Sequence, residues 1–297
     1  MTKLDRTIKI SKFLTNLPYN KFNLDNYFPI LYKSFGELGF KNTDANLPIK
    51  LMSGQHVNSG IITSNNLIAP YRKRNIYIIG KGLLFDAGGY NLKREMAGMN
   101  KDMAGMAIAL AIAELSPKVI AVCPVTTNFI HNNQILPSDI ISIGKKQVEV
   151  TNTDAEGRLV LAEAISTLNV SKSDIIITIA TLTGACEYAI DKKATGVLTP
   201  SDKLASLYLD ASKEEKEYAW RLPLWDYLQK KHYNKKLIQN AIKDIKAGTT
   251  EGAMFIQQFI PYPENWIHLD IASSAFDDKG KANGVPIKSL LNFIRRL

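Results

Sequence analysis

Four apolar runs of strand length recur along this chain, and each ends in a polar or glycine-bearing cluster. Asn75-Ile76-Tyr77-Ile78-Ile79-Gly80 leads into Lys81-Gly82. Lys118 to Pro124 leads into a long polar loop, Thr126 to Asp139. Asp174 to Ala180 delivers Thr181-Leu182-Thr183-Gly184-Ala185, and Trp266 to Ile271 closes the series. Near-continuous apolar runs of this length read as strands buried on both faces. A briefer strand, Leu83-Leu84-Phe85, ends at Asp86-Ala87-Gly88-Gly89. Between the strands, Asp102 to Leu115 is an Ala- and Met-rich helix and Ala205 to Ala219 a surface helix. Asp226 to Ile245 reads as helix-rich, and Ala253 to Phe259 as helical. Strands alternating with helices define an α/β class with a central mixed, largely parallel sheet flanked by helices. In such sheets chemistry gathers at the carboxyl ends of the strands, where the polar clusters of this chain lie.

One of those ends is unusually charged. The strand Gln147-Val148-Glu149-Val150 runs into a turn holding Asp154, Glu156 and Arg158, and an apolar helical run starts at Leu159. Taken alone, acidic residues at a helix start are ordinary caps and dipole partners. The other strand ends add to them. Lys81 follows the first strand, Asp86 the second, Lys93 stands seven residues on, and Asp102 opens the Ala-rich helix. Four carboxylates against two lysines and one arginine in largely apolar surroundings must be paired. A salt-bridge cluster would balance them, and so would hard cations held by carboxylate oxygens. Gly88-Gly89 and Gly105 permit close backbone approach, which suits a packed site.

These residues fall in four motifs: Gly80-Lys81-Gly82, Phe85-Asp86-Ala87-Gly88-Gly89-Tyr90-Asn91-Leu92-Lys93, Lys101-Asp102-Met103-Ala104-Gly105, and Asn152-Thr153-Asp154-Ala155-Glu156-Gly157-Arg158-Leu159. Together they resemble the leucyl aminopeptidase family, peptidase family M17, the two-metal cytosolic aminopeptidases. The resemblance spans about Asn75 to Leu297, and Asp270-Ile271-Ala272 also fits it. It implies an aminopeptidase catalytic domain that binds two divalent metal ions, Zn²⁺ and/or Mn²⁺. Lys81, Asp86, Asp102 and Glu156 would hold one metal. Asp86, Asp154 and Glu156 would hold the other. Lys93 and Arg158 would be catalytic, with bicarbonate on Arg158 as general base. Met99 would line the specificity pocket, and Thr181 and Gly184 the substrate-binding edge. Peptide substrates with leucine-like amino-terminal residues, a cytoplasmic location and a homohexamer are further implications.

The chemistry is consistent with those roles. A lysine ligates a metal only as the neutral amine, a state that a divalent cation enforces. Paired cations acidify water and polarise a carbonyl. A lysine ammonium stabilises an oxyanion, and an arginine at a helix start holds a small anion. The four histidines, His56, His131, His232 and His268, are isolated, without the spacing of a histidine metal motif. They read as ordinary residues.

Residues 1–50 read as a short helical segment, a reduced amino-terminal domain, with helices over Ile8 to Leu14 and Tyr27 to Leu38 and a polar break over Asn42 to Pro48. Residues 51–297 form the catalytic domain. Within it, residues 51–74 read as one or two strands with turns at Ser53-Gly54 and Ser64-Asn65-Asn66. Two segments depart from the family pattern. Thr127-Asn128-Phe129 stands where many members have an acidic residue before Asn. Lys246 to Ala253 is less glycine-rich than usual, which bears on the shape of the pocket.

Among 297 residues, 45% are hydrophobic and 22% charged, which is globular composition. The amino terminus lacks a secretory apolar region and no run is long enough to cross a membrane. Cys123 and Cys186 sit in apolar contexts and read as reduced core residues. The net charge of +9 admits a second function class, a nucleic-acid-binding regulator. The lysines are scattered, however, which favours a solvated surface. A narrower dipeptidase of the cysteinylglycine type is the third reading.

Overall fold

The computed structural model describes residues 1–44, 52, 58–64 and 74–297. Its spine is β5 (Val119–Asn128), ten residues long and buried throughout. The first half of β5 pairs in parallel with β3 (Ile76–Gly80), and its second half with β4 (Gly82–Asp86). β3 and β4 are thus one strand path broken at Lys81. At the break the Lys81 N–H donates to Ile179 O at 3.1 Å, and Lys81 O accepts from the Met106 N–H at 2.9 Å. Both backbone groups of Lys81 are satisfied across the gap, as burial demands.

The sheet continues from β3 to β8 (Ile175–Ala180) and β13 (Trp266–Asp270), both parallel. Then come β9 (Thr195–Leu198), antiparallel to β13, and β10 (Ala219–Arg221), parallel to β9. On the other side β5 carries β2 (Gly60–Ser64), which pairs with β1 (Phe40–Asp44), both pairings antiparallel. The sheet is therefore mixed with a parallel centre. A small second sheet holds β6 (Ile140–Ile143), β7 (Lys146–Glu149), β11 (Tyr233–Asn234) and β12 (Leu237–Gln239).

Alternation along the strands sends side chains into two apolar layers. Ile76 and Ile78 join the layer built with α1 (Lys3–Asn16), α2 (Tyr27–Phe35), α3 (Ala104–Leu115), α6 (Asp202–Glu214) and α9 (Ile287–Arg296). Tyr77 and Ile79 join the layer of α4 (Glu156–Ser166) and α8 (Gly248–Gln257). Two shorter helices are α5 (Ala185–Ile190) and α7 (Asp226–Lys231). α3 is apolar nearly all round and buried along almost its whole length, as such a composition requires. Its first turn lies against the sheet because residue 105 is glycine. A Cβ there would stand 2.3 Å from Ile179 O.

Several sequence expectations need adjustment. Asp226 to Ile245 is helical only through Lys231, after which the chain forms the β11–β12 hairpin. Lys235 turns it with φ of 57°, and β12 is drawn out of helix by pairing with β7. Thr126 to Asn128 are strand rather than loop, because β4 supplies them a partner. The helix expected through Ala219 ends at Glu214, and Ala219 opens β10. Residues 42–44 are strand backbone in β1, whereas 45–48, Ser53-Gly54, His56 and Asn65-Asn66 lie outside the described residues. Cys123 and Cys186 are buried free thiols, and burial pushes both up to about 12. Among the described residues no helix is long and apolar enough to cross a membrane.

Candidate metal centre and active-site cavity

The parallel strands end on a cavity of about 520 Å³. Lys81, Asp86, Lys93, Met99, Asp102, Asp154, Glu156, Arg158, Thr181 and Gly184 all line it. They arrive from several strand ends and helix starts. Lys81 is the break between β3 and β4, Asp86 the last residue of β4, and Thr181 the first residue after β8. Asp102 and Glu156 stand where α3 and α4 begin, and helix starts favour negative charge.

Asp86, Asp102 and Glu156 each place one oxygen within 4.8 Å of the others, and all three are buried. Lys81 Nζ lies 2.8 Å from Asp102 Oδ2 and 3.0 Å from Glu156 Oε1. It reaches them past Gly157, where a Cβ would stand 2.6 Å from Nζ. Lys93 Nζ lies 2.8 Å from Asp86 Oδ2 and also bonds Asp154 Oδ1. Asp154 thus sits beside the three-carboxylate cluster, joined to it through Lys93 and Asp86. Thr181 Oγ1 donates to Asp102 Oδ1 at 2.6 Å.

Burial pushes Lys81 down, but Asp102, Glu156 and Asp86 outweigh it and hold the ammonium above the ordinary lysine range. Lys93 is held up in the same way by Asp86 and Glu156, against its burial. Three carboxylates, Asp102, Asp154 and Glu156, also sit high. Burial raises Asp102, Lys81 opposes that, and Asp86 adds to it. Burial and then Asp86 raise Glu156, against the pull of Lys81. Burial raises Asp154 against Lys93. Carboxylates held above their usual range beside two ammonium groups mark a centre short of positive charge. Asp102 Oδ2 has Lys81 as ion partner but makes no hydrogen bond of good geometry. A buried carboxylate oxygen with an ion pair as its one described partner keeps a lone pair for a cation. The residues present therefore fit divalent metal ions.

Sequence reasoning missed three contributors. Asn128 Nδ2 donates to Asp86 Oδ1 at 2.8 Å and to Thr153 O at 3.1 Å, and lies 3.4 Å from Glu156 Oε2. Polar Thr126 and Thr127 separate it from the apolar run before it, so no local signal marked it. Glu251, a carboxylate in the buried first turn of α8, lines the cavity and bonds Arg158. Asp270, at the end of β13, accepts from Thr183 Oγ1 at 2.7 Å and from the Leu182 N–H at 3.2 Å. Apolar residues also wall the cavity: Met99, Leu182, Ile242, Ile245 and Phe276. His131, His232 and His268 do not line it.

Fold and site define an α/β protein with a buried carboxylate–lysine centre suited to divalent cations, opening on a half-apolar cavity. A family model described as the cytosol aminopeptidase family, catalytic domain, matches residues 55–291. The chain belongs to the cytosol aminopeptidase family. It is 38% identical over 245 residues to a probable cytosol aminopeptidase of Synechococcus, covering 75% of this chain and 49% of that protein. It is 36% identical over 244 residues to one of Chlorobaculum tepidum, covering 75% and 47%. The chain spans about half the length of the curated relatives it matches. Among solved structures, the bottromycin maturation enzyme BotP superposes with a TM-score of 0.84 over 99% of this chain and 69% of that one, at 23% identity. The same enzyme in complex with Mn gives 0.86 over 99% and 70%, also at 23%. That likeness carries the fold.

Proposed function

We propose that this chain is a metal-dependent aminopeptidase that removes leucine-like neutral residues from the amino ends of short peptides. The observation that carries this reading is the union, in one cavity, of the carboxylate–lysine centre and the apolar wall of Met99, Leu182, Ile242, Ile245 and Phe276. Lys81, Asp86, Asp102 and Glu156 would hold one divalent ion, and Asp86, Asp154 and Glu156 a second, Zn²⁺ or Mn²⁺. When bound, such ions polarise the scissile carbonyl and acidify a water.

The chain's own residues do the rest. Lys81 would serve as a ligand only as the neutral amine, and Gly157 leaves room for its side chain. Lys93, an ammonium on the cavity wall, is positioned to stabilise the oxyanion that develops on the carbonyl oxygen. Asn128 fixes Asp86 by donating to Oδ1. Thr181 does the same for Asp102. Gly184 and Thr181 border the cavity where the peptide backbone would lie, and Met99 meets the first side chain. Bicarbonate on Arg158 competes with Glu251 for the same guanidinium. A cytoplasmic homohexamer belongs to the same reading, and sedimentation velocity tests its assembly.

The decisive experiment is hydrolysis of leucine p-nitroanilide by metal-stripped protein, before and after addition of Mn²⁺ or Zn²⁺. Metal-restored turnover is expected. Two bound metals without turnover on any aminoacyl anilide would overturn the reading.

A further inference from the structure

Arg158 stands in the first turn of α4, and its side chain is 8% exposed. Its Nη1 donates to Glu251 Oε1 at 2.5 Å and to Asn240 O at 2.7 Å. Glu251 rises from the first turn of α8, with its side chain 3% exposed. Oε1 also accepts the Ile242 N–H at 3.1 Å, and His232 Nε2 lies 3.8 Å away. Both side chains line the cavity. The guanidinium therefore already holds an anion, and that anion is part of the chain.

A free anion taken at Nη1 would have to displace a carboxylate tethered to the same fold, and one taken at the other guanidinium nitrogens would sit beside that carboxylate's charge. A tethered partner acts at high effective concentration, far above that of a small ion in buffer. Displacement would also leave Glu251 buried without its guanidinium, which is costly, and would bring a second negative charge beside the first. The residues here do not fit a bicarbonate on Arg158. We propose that Glu251 is the built-in anion partner of Arg158, so that this site is complete without a small anion from solution. The carboxylate acts as a positioning residue: it fixes the guanidinium at the cavity wall and adds negative charge to the lining it shares with Lys93. The proposal rests on the aminopeptidase reading for its kinetic consequence, but its binding consequence stands apart.

The test compares wild type, Glu251→Ala and Glu251→Gln, all loaded with Mn²⁺. Calorimetry measures bicarbonate binding, and leucine p-nitroanilide turnover is followed in CO₂-depleted and bicarbonate-containing buffer. Wild type is expected to bind no bicarbonate and to ignore its removal. Glu251→Ala is expected to lose about 100-fold in kcat with little change in KM, a size typical of a positioned proton-handling or charge-stabilising group. It should gain saturable binding of bicarbonate or formate and recover about ten-fold with either, a rescue that a merely structural residue would not give. Glu251→Gln keeps the volume and loses the charge, so it should lose kcat without rescue, and it decides the matter if the alanine variant does not fold. Bicarbonate binding to wild type, or unaltered kcat in both variants, overturns the proposal. If wild type turns over no substrate, the aminopeptidase reading falls. Calorimetry then decides alone: anion binding created by removing Glu251 upholds the pairing, and its absence in a folded Glu251→Ala overturns it.

Discussion

The side chain of Lys81 passes directly over Gly157: a Cβ on residue 157 would meet Nζ at 2.6 Å, Cε at 2.8 Å and Cδ at 3.0 Å. Glycine in the first turn of α4 is a local cost to the helix that the passage of Lys81 explains. Gly157→Ala should therefore separate stability from metal binding. The helix gains up to about 1 kcal/mol of propensity, which offsets the crowding. Lys81, pinned at 2.8 Å and 3.0 Å between Asp102 and Glu156, is pushed out of register with both. Metal affinity should fall about 10- to 100-fold, the range for groups that orient ligands, while the metal-free Tm changes by little. Competition titration against a chelating dye measures the first and thermal unfolding the second.

Asn128 tests how far the centre depends on a residue that carries no charge. Its amide donates to Asp86 and to Thr153 O, and its Oδ1 accepts from Gln134 Nε2 at 3.0 Å. Asn128→Ala leaves Asp86 Oδ1 with the Gly88 N–H as its remaining described donor. We expect a loss of about 1–3 kcal/mol in stability from unsatisfied buried groups. Metal affinity should drop about 10-fold or more. Asn128→Ala binding metal as wild type does would show that Asp86 is oriented by Lys93 and Gly88 alone.

The contrast between these residues shows what a sequence exposes. Asp154, Glu156 and Arg158 were legible because a strand, a turn and a helix start follow one another within a few residues, and charges at such a junction demand partners. Lys81 and Asp86 were legible for the same local reason, at the ends of β3 and β4. Asn128 was not. Its neighbours Thr126 and Thr127 are polar, and only pairing with β4, some forty residues earlier in the chain, makes them strand. Glu251 was hidden in a helix, and nothing local names Arg158 as its partner. The β11–β12 hairpin was hidden because Lys-rich amphipathic sequence suits a helix until β7 offers an edge.

Asp270 gives a pH-dependent prediction away from the carboxylate cluster. Burial pushes it up to about 6 from 3.8, against hydrogen bonds from Thr183, Ala272 and Leu182. The folded state therefore binds a proton more tightly than the unfolded chain. Below about pH 4 both states are protonated and Asp270 contributes no pH dependence. As pH rises through about 4 to 6 the unfolded chain ionises first, and folded stability falls, by at most about 3 kcal/mol for a shift of this size. Asp270→Asn removes that fall. Denaturant melts of metal-free protein at several pH values should show the stability difference, wild type minus variant, declining through this window and flat above it. A difference independent of pH would mean that Asp270 ionises normally and that its hydrogen bonds offset its burial.

Met99 decides whether the apolar wall reads the first residue of a peptide. It lines the cavity with Leu182, Ile242, Ile245 and Phe276. A flexible thioether fits a branched aliphatic side chain by adjusting its rotamer. Met99→Ala removes that contact without touching the carboxylates. One contact of this kind in an apolar pocket is worth about 1–3 kcal/mol, so kcat/KM for a leucyl anilide should fall about 10- to 100-fold. An alanyl anilide, whose methyl reaches less of the wall, should lose far less. The ratio of the two substrates is the measurement, because metal loading and folding affect both equally. A narrowed leucyl-to-alanyl ratio would assign the wall to the first side chain. An equal fall for both would place Met99 behind the centre, supporting Asp102 three residues on, and would move the specificity pocket toward Ile242 and Ile245.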